Sequence, residues 1–317
     1  MKVALCFIIN HELKKEKIWR KWINQNSFLF NVYFFYKNKD LISSKWILNH
    51  CLPEKYIFPT SYFHIVQAYF SLMEYAYHHD KQNTWFCFLS ESCIPIITPS
   101  SFKKLFYENY DKSILKWEKA KWNIYLLKRA NLQFLPPEFH LSNSPWFLLE
   151  RKKVQLCLCY LKYHFSTFRL ICKGGIANES IFAIILQKYK SFDNVLNENS
   201  TLMDWTRMTS ATSPYVFSSK KDMEFIINEK QKNKYNIFLR KIHNDFPDEL
   251  LDEILFPLTF PTITTIDTSY KCCHRFICRT GLHLVISTLV QMAFSTLECI
   301  CRCYYIRFIF VFCFLIV

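Results

Sequence analysis

Residues 60–96 read TSYFHIVQAYFSLMEYAYHHDKQNTWFCFLSESCIPI. Within them the stretch 85–89, WFCFL, is apolar without a break, the pattern of a short strand covered on both faces. It ends in Ser90-Glu91-Ser92, and Pro95 and Pro99 then turn the chain. Upstream, Ile65, Ala68, Tyr69, Leu72, Met73 and Ala76 recur at spacings of three and four, so one face of a helix is buried, with Thr60-Ser61 expected as its cap. In open α/β sheets, ligands sit beyond the carboxyl ends of strands. The polar triplet 90–92 therefore stands where a site is expected.

Working outward, the same alternation continues on both sides. Residues 3–9 form an apolar run of strand length, 12–25 a basic, tryptophan-containing helix, and 30–36 an aromatic strand, which makes a β-α-β opening. On the other side a helix is expected near 102–108, a loop-rich centre around Pro136-Pro137, a strand at 145–149, and helices at 180–189 and 219–229. An aromatic and basic segment at 234–242 closes the series. The class is α/β.

After about Pro257 the character changes, which divides the chain into a domain at 1–258 and a cysteine-rich hydrophobic tail at 259–317. Residues 281–297 carry no Asp, Glu, Lys or Arg; Glu298 and Arg302 follow, and the apolar run 303–317 is broken only by Arg307. Neither run reaches the roughly 20 residues of a comfortable transmembrane helix without including a charge. Attachment to a membrane through this tail is one reading, and an extension packed on the domain is the other. The run 3–9, followed at once by the charged stretch 11–17, is too short and wrongly flanked for a signal peptide or N-terminal anchor.

Composition narrows the chemistry. The 317 residues are 51% hydrophobic and 18% aromatic, enough for one large core. Only 3 of them are Gly, so the glycine-rich phosphate loops of dinucleotide-binding or P-loop proteins cannot be built. Any phosphate must meet side chains. The formal net charge of +14 favours a phosphate-bearing or polyanionic partner. Lys and Arg are spread along the chain rather than gathered on one element among stacking aromatics, so no nucleic-acid partner is expected. Of the 14 Cys, the group Cys272, Cys273 and Cys278 with His274 lacks a second well-spaced pair to complete a zinc site.

The stretch 60–96 resembles the core-2/I-branching enzymes, in which a helix entered through a similar turn leads to a strand ending in a Ser-Glu/Gly-Ser/Asp segment before Pro. Further segments stand in that family's order: SPWFLLERK from Ser144, ANESIFAIIL from Ala177, MDWTR from Met203 and IFLRKI from Ile237. The resemblance covers residues 3–245 and excludes the tail. It implies a GT-A-like nucleotide-sugar-binding fold, with a central, mostly parallel sheet flanked by helices. It also implies inverting, metal-independent transfer of N-acetylglucosamine or xylose from a UDP-sugar to a hydroxyl of a glycan or glycoprotein. No cofactor and no metal are expected, and no Asp-x-Asp motif occurs in the chain.

The resemblance also implies roles for residues. Glu179 matches the family's acidic position and is expected to be the catalytic base, with Asn178 in place of the usual preceding acid. Lys241, with Arg240 beside it, is expected on the donor diphosphate, and Arg207 matches a basic position found in part of the family. Ser90, Glu91 and Ser92 are expected at the donor. Trp146 is either an acceptor-side stacking face or a core residue, and Asp204 and Trp205 are expected to line the acceptor side. One departure stands out: the family's second strand usually ends in a His-x-Asp-like segment, whereas NVYFFYKNK from Asn31 has no acid. A protein that keeps the fold after losing turnover, binding carbohydrate or a membrane, is the alternative.

Overall fold

The computed structural model describes residues 1–257 apart from 209 and 211; the hydrophobic tail with its cysteines lies outside the described residues. The chain opens with β1 (Lys2–Ile9), α1 (Glu16–Asn24), β2 (Phe30–Tyr36), α2 (Lys45–Asn49), α3 (Val66–His79) and β3 (Asn83–Ser90). There follow β4 (Ile94–Pro95), α4 (Pro99–Asn109), β5 (Ser113–Ile114), β6 (Trp117–Lys119), β7 (Leu141–Asn143) and β8 (Leu148–Glu150). The remaining elements are α5 (Arg151–Tyr163), α6 (Phe165–Lys173), α7 (Ile181–Lys188), β9 (Val195–Leu196), β10 (Thr201–Met203), α8 (Met223–Lys232), β11 (Phe238–Arg240) and α9 (Asp248–Leu255).

The main sheet has the order β2-β1-β3-β8-β5-β9. Leu5 lies opposite Val32 on one side and Cys87 on the other, both pairings parallel, while β8 runs antiparallel to β3 and β5. The alternation of β1 explains its unbroken apolar sequence. Val3, Leu5, Phe7 and Ile9 enter one core with Trp19, Trp22, Phe102 and Leu251, whereas Ala4, Cys6 and Ile8 enter the other with Tyr69, Met73, Val154 and Phe182. A strand covered on both faces has no polar side to show.

Two hydrogen bonds from α1 fix where the chain goes after β3. The indole nitrogens of Trp19 and Trp22 donate to the carbonyls of Cys93 and Ile97, each at 2.9 Å, so α1 holds both ends of the 93–97 segment. Thr98 then caps α4 by accepting from the Ser101 amide at 3.1 Å, with Pro99 in the first turn where its missing N–H costs nothing. From α3, the Tyr69 hydroxyl donates to the Pro145 carbonyl at 2.7 Å and sets the entry to β8.

The expected cap at Thr60-Ser61 is not formed. Residues Ser61 and His64 exchange backbone hydrogen bonds across a tight turn, and α3 begins at Val66 without a side-chain cap. The turn absorbs the amide groups a cap would have served and leaves Tyr62 and Phe63 exposed at its tip. Helices α5, α6 and α9 have no counterpart in the sequence reading, and the helix expected at 219–229 starts as a 3-10 turn at Lys220–Asp222 before α8. Among the described residues no helix is long and apolar enough to cross a membrane.

Candidate active site

A second, three-stranded sheet, β10-β11-β4, carries the chain back to the end of β3. Leu239 pairs with Ile94, and Arg240 pairs with Met203, so β11 lies directly beside the segment that follows the polar triplet. Ser90 and Ser92 are buried, their hydroxyl oxygens 3.3 Å apart. The Ser90 hydroxyl accepts from Arg240 Nε at 3.1 Å, and the Ser92 carbonyl accepts from the Ile242 amide at 2.9 Å. Glu91 turns the other way: its Oε2 accepts from the Asn10 amide at 2.7 Å and its carbonyl from the Lys14 amide at 2.9 Å. The triplet thus bolts the β1–α1 loop and the end of β11 to one strand end.

Arg240 and Lys241 stand at that junction. The Arg240 guanidinium lies 5.0 Å from the Trp146 ring centroid, and Lys241 Nζ donates to the Ser213 hydroxyl at 2.6 Å. Neither cation takes part in any ion pair within 4.0 Å formed among the described residues. Burial pulls the pKa of Arg240 down, and burial followed by the neighbouring charges of Arg240 and Lys14 pulls Lys241 down, with Glu91 opposing. Two adjacent, partly buried cations that form no ion pair with a carboxylate among the described residues leave a positive site that an anion would satisfy.

Glu179 closes the 3-10 turn Ala177–Glu179 that precedes α7, and Ile176 before it takes a left-handed conformation at φ 55°. Its half-buried carboxylate lines a cleft of about 390 Å³ together with Trp122, Arg129, Ser144, Thr201 and Trp205. Burial raises its pKa above the ordinary glutamate value, against the opposing charges of Arg129 and Arg240. A carboxylate tuned upward in a cleft is suited to take a proton near neutral pH. Of the residues lining it, Trp122 and Thr201 have buried side-chain atoms, Nε1 and Oγ1, without a hydrogen-bond partner among the described residues. Buried polar atoms are normally paired, so these two are open to a hydrogen-bonding group in the cleft.

The family model of the core-2/I-branching enzymes matches residues 3–228. The chain belongs to that family. No curated protein matches it closely enough to count as a relative. As a core-2/I-branching enzyme it is a glycosyltransferase in general terms, using a nucleotide-sugar donor and a glycan acceptor, and its central sheet flanked by helices fits the GT-A-like fold. The matched region contains Glu179 and the triplet 90–92 and ends short of β11.

Two residues of this core-2/I-branching enzyme, Arg207 and Asp204, sit differently from expectation, and Trp146 takes the core position of its two alternatives. Arg207 does not offer a free charge to a diphosphate: it pairs with Asp204 at 2.5 Å and Asp222 at 3.1 Å and is packed against the rings of Tyr215 and Phe225. Asp204 is buried rather than open to an acceptor, and its Oδ1 accepts from the Thr206 amide and hydroxyl and the Arg207 amide. Trp146 is a core residue, 6% exposed, with its ring covered by Arg240 and packed near Tyr69. Only Trp205 of the acceptor-side set is exposed in the cleft, beside Arg129 and Trp122, for which the sequence gives no local signal.

A structural role for Arg207 makes a prediction. Arg207→Met leaves two buried carboxylates without their counter-charge and is expected to cost roughly 3 kcal/mol, read as a lowered Tm, with UDP affinity unchanged. Burial pushes the Asp204 pKa up, but the hydrogen bonds from Thr206 and Arg207 outweigh it and hold the group below its ordinary value. Its contribution is therefore present above the unfolded carboxylate range and lost as pH falls through the depressed value. Asp204→Asn is expected to flatten that part of the acid unfolding profile.

Proposed function

We propose that this core-2/I-branching enzyme is an inverting, metal-independent transferase that moves N-acetylglucosamine or xylose from a UDP-sugar to a hydroxyl of a glycan or glycoprotein. The observation that carries this reading is the partly buried Arg240–Lys241 pair, which forms no ion pair with a carboxylate among the described residues and of which Arg240 feels the charge of Glu179. Glu179 takes the proton of the acceptor hydroxyl as that oxygen attacks the anomeric carbon. The bond from the anomeric carbon to the diphosphate oxygen breaks on the opposite side, and Lys241 and Arg240 stabilise the negative charge of the departing UDP. Because cations already stand at the strand end where the diphosphate would lie, no divalent ion is needed to supply that charge. The Ser90 hydroxyl orients Arg240.

This reading puts the donor at the ends of β3 and β11, and the acceptor in the cleft lined by Glu179, Trp205 and Trp122. Membrane association, on this reading, would come from the tail. The lack of an acid within residues 31–39, at the end of β2, favours a second reading, a fold that binds carbohydrate without turnover. Calorimetric titration of UDP in excess EDTA separates the two: the transferase reading expects saturable binding, whereas absence of binding supports the degenerate one.

A further inference from the structure

Arg129 Nη1 lies 3.6 Å from Glu179 Oε2, with both side chains about one-third exposed. Its guanidinium is stacked over the Trp122 ring at 5.1 Å, so the arginine is held on one side by an aromatic face and on the other by the carboxylate. The backbone under it is unusual. Lys128, Ala130 and Asn131 have φ of 38°, 51° and 52°, and Ile176 across the turn has 55°. Non-glycine residues other than Asn rarely adopt this region, and such strain persists only where its surroundings impose it.

What imposes it is a clasp between 129–131 and 174–176. Arg129 bridges Gly175, the Ala130 amide donates to the Gly175 carbonyl at 3.0 Å, and Asn131 Nδ2 donates to the Leu170 carbonyl at 2.8 Å. A Cβ on Gly174 would stand 2.3 Å from the Asn131 nitrogen, so only glycine permits the approach. From the same clasp the chain passes through Ile176, whose amide donates to the Phe63 carbonyl at 2.8 Å, into the turn that ends at Glu179. One strained clasp therefore fixes both members of the pair.

The charges facing Glu179 are Arg129 from the loop after β6 and Arg240 from β11, with the Tyr69 phenol from α3 also near. Under the transferase reading, Arg240 answers the donor diphosphate during turnover, and the arriving negative charge makes an ionised Glu179 harder to keep. Arg129 is the guanidinium that is left for it. We propose that Arg129 is the positioning residue for Glu179, aiming its carboxylate into the cleft and answering its charge while Arg240 is engaged by the donor. This rests on Glu179 being the base.

The test follows the Glu179 carboxyl directly by 13C NMR titration of glutamate-labelled full-length protein, free and with UDP, with Glu179→Gln identifying the resonance. Arg129→Met is expected to raise the titration midpoint, more so with UDP bound, and Arg129→Lys to stay near wild type. In the same variant kcat/KM near neutral pH is expected to fall roughly tenfold, with its acid limb moved to higher pH, because a base with a raised pKa stays protonated further up the scale. Should Arg129→Met fail to fold, Trp122→Leu, which removes only the stack, is expected to move the midpoint in the same direction by less. An unmoved midpoint overturns the proposal. A midpoint that moves while the rate profile does not upholds the positioning and removes Glu179 from the role of base.

Discussion

Glu179→Gln is expected to lower the rate of sugar transfer by about 100- to 10,000-fold, the range for losing a general base. The amide has the shape of the carboxylate, so the turn and the cleft stay in place, but it cannot accept the acceptor's proton. UDP affinity is expected to change little, because on the proposed reading the leaving group is met by Arg240 and Lys241 at the end of β11 and not by this turn. The pH profile gives a second signature. Burial raises Glu179 above its ordinary value, with Arg129 and Arg240 opposing, so activity falls as pH drops through that raised value. The limb disappears in the Gln variant. Undiminished transfer by Glu179→Gln would remove this residue from the chemistry.

Lys241→Met is expected to carry the second large effect, a loss of about 100- to 1,000-fold in turnover, as for the removal of one preorganised charge stabiliser. UDP binding should weaken with it. Among the described residues Lys241 makes one side-chain hydrogen bond, to Ser213, so its loss disturbs little else there. Arg240→Met is expected to act on UDP in the same direction but also to lower Tm, because Arg240 packs over Trp146 and bonds to Ser90. The contrast with Arg207→Met is the informative comparison: that substitution is expected to cost stability and leave UDP affinity alone. Equal loss of UDP affinity in the Arg207 and Lys241 variants would break the distinction.

The strands were readable because they are covered on both faces. The runs of β1, β2 and β3 are nearly all apolar and rich in aromatic and β-branched residues, which favours strands, although the helix α7 is equally apolar. The start of α3 was not readable, since Thr60-Ser61 has the chemistry of a cap and only the Ser61–His64 turn, formed by backbone groups, shows that the helix begins later. Residue type alone could not separate Arg207 from Arg240. Each is an arginine beside apolar residues, and what distinguishes them is that two aspartates, one of them 15 residues along the chain, close on the first, whereas none of the described aspartates closes on the second. Trp146 was open between sugar face and core for the same reason, because Arg240, which covers it, lies far away in sequence.

Arg129 shows the limit most clearly. It sits in a stretch without regular periodicity, and its partner lies 50 positions away, brought within 3.6 Å by the clasp at Gly174 and Gly175. The two glycines are the one sequence signal that could have led to it, in a chain that has only 3. Glycines placed just before a candidate base suggest a close backbone approach there.

The central claim is that fixed cations of this chain, rather than a divalent ion, take the charge of the departing UDP. Release of UDP from UDP-N-acetylglucosamine and UDP-xylose, with a hydroxyl acceptor and in excess EDTA, measures it most directly. The account predicts turnover undiminished by the chelator and lowered about 100- to 1,000-fold in Lys241→Met. Turnover lost in EDTA and restored by added Mg2+ or Mn2+ would contradict it.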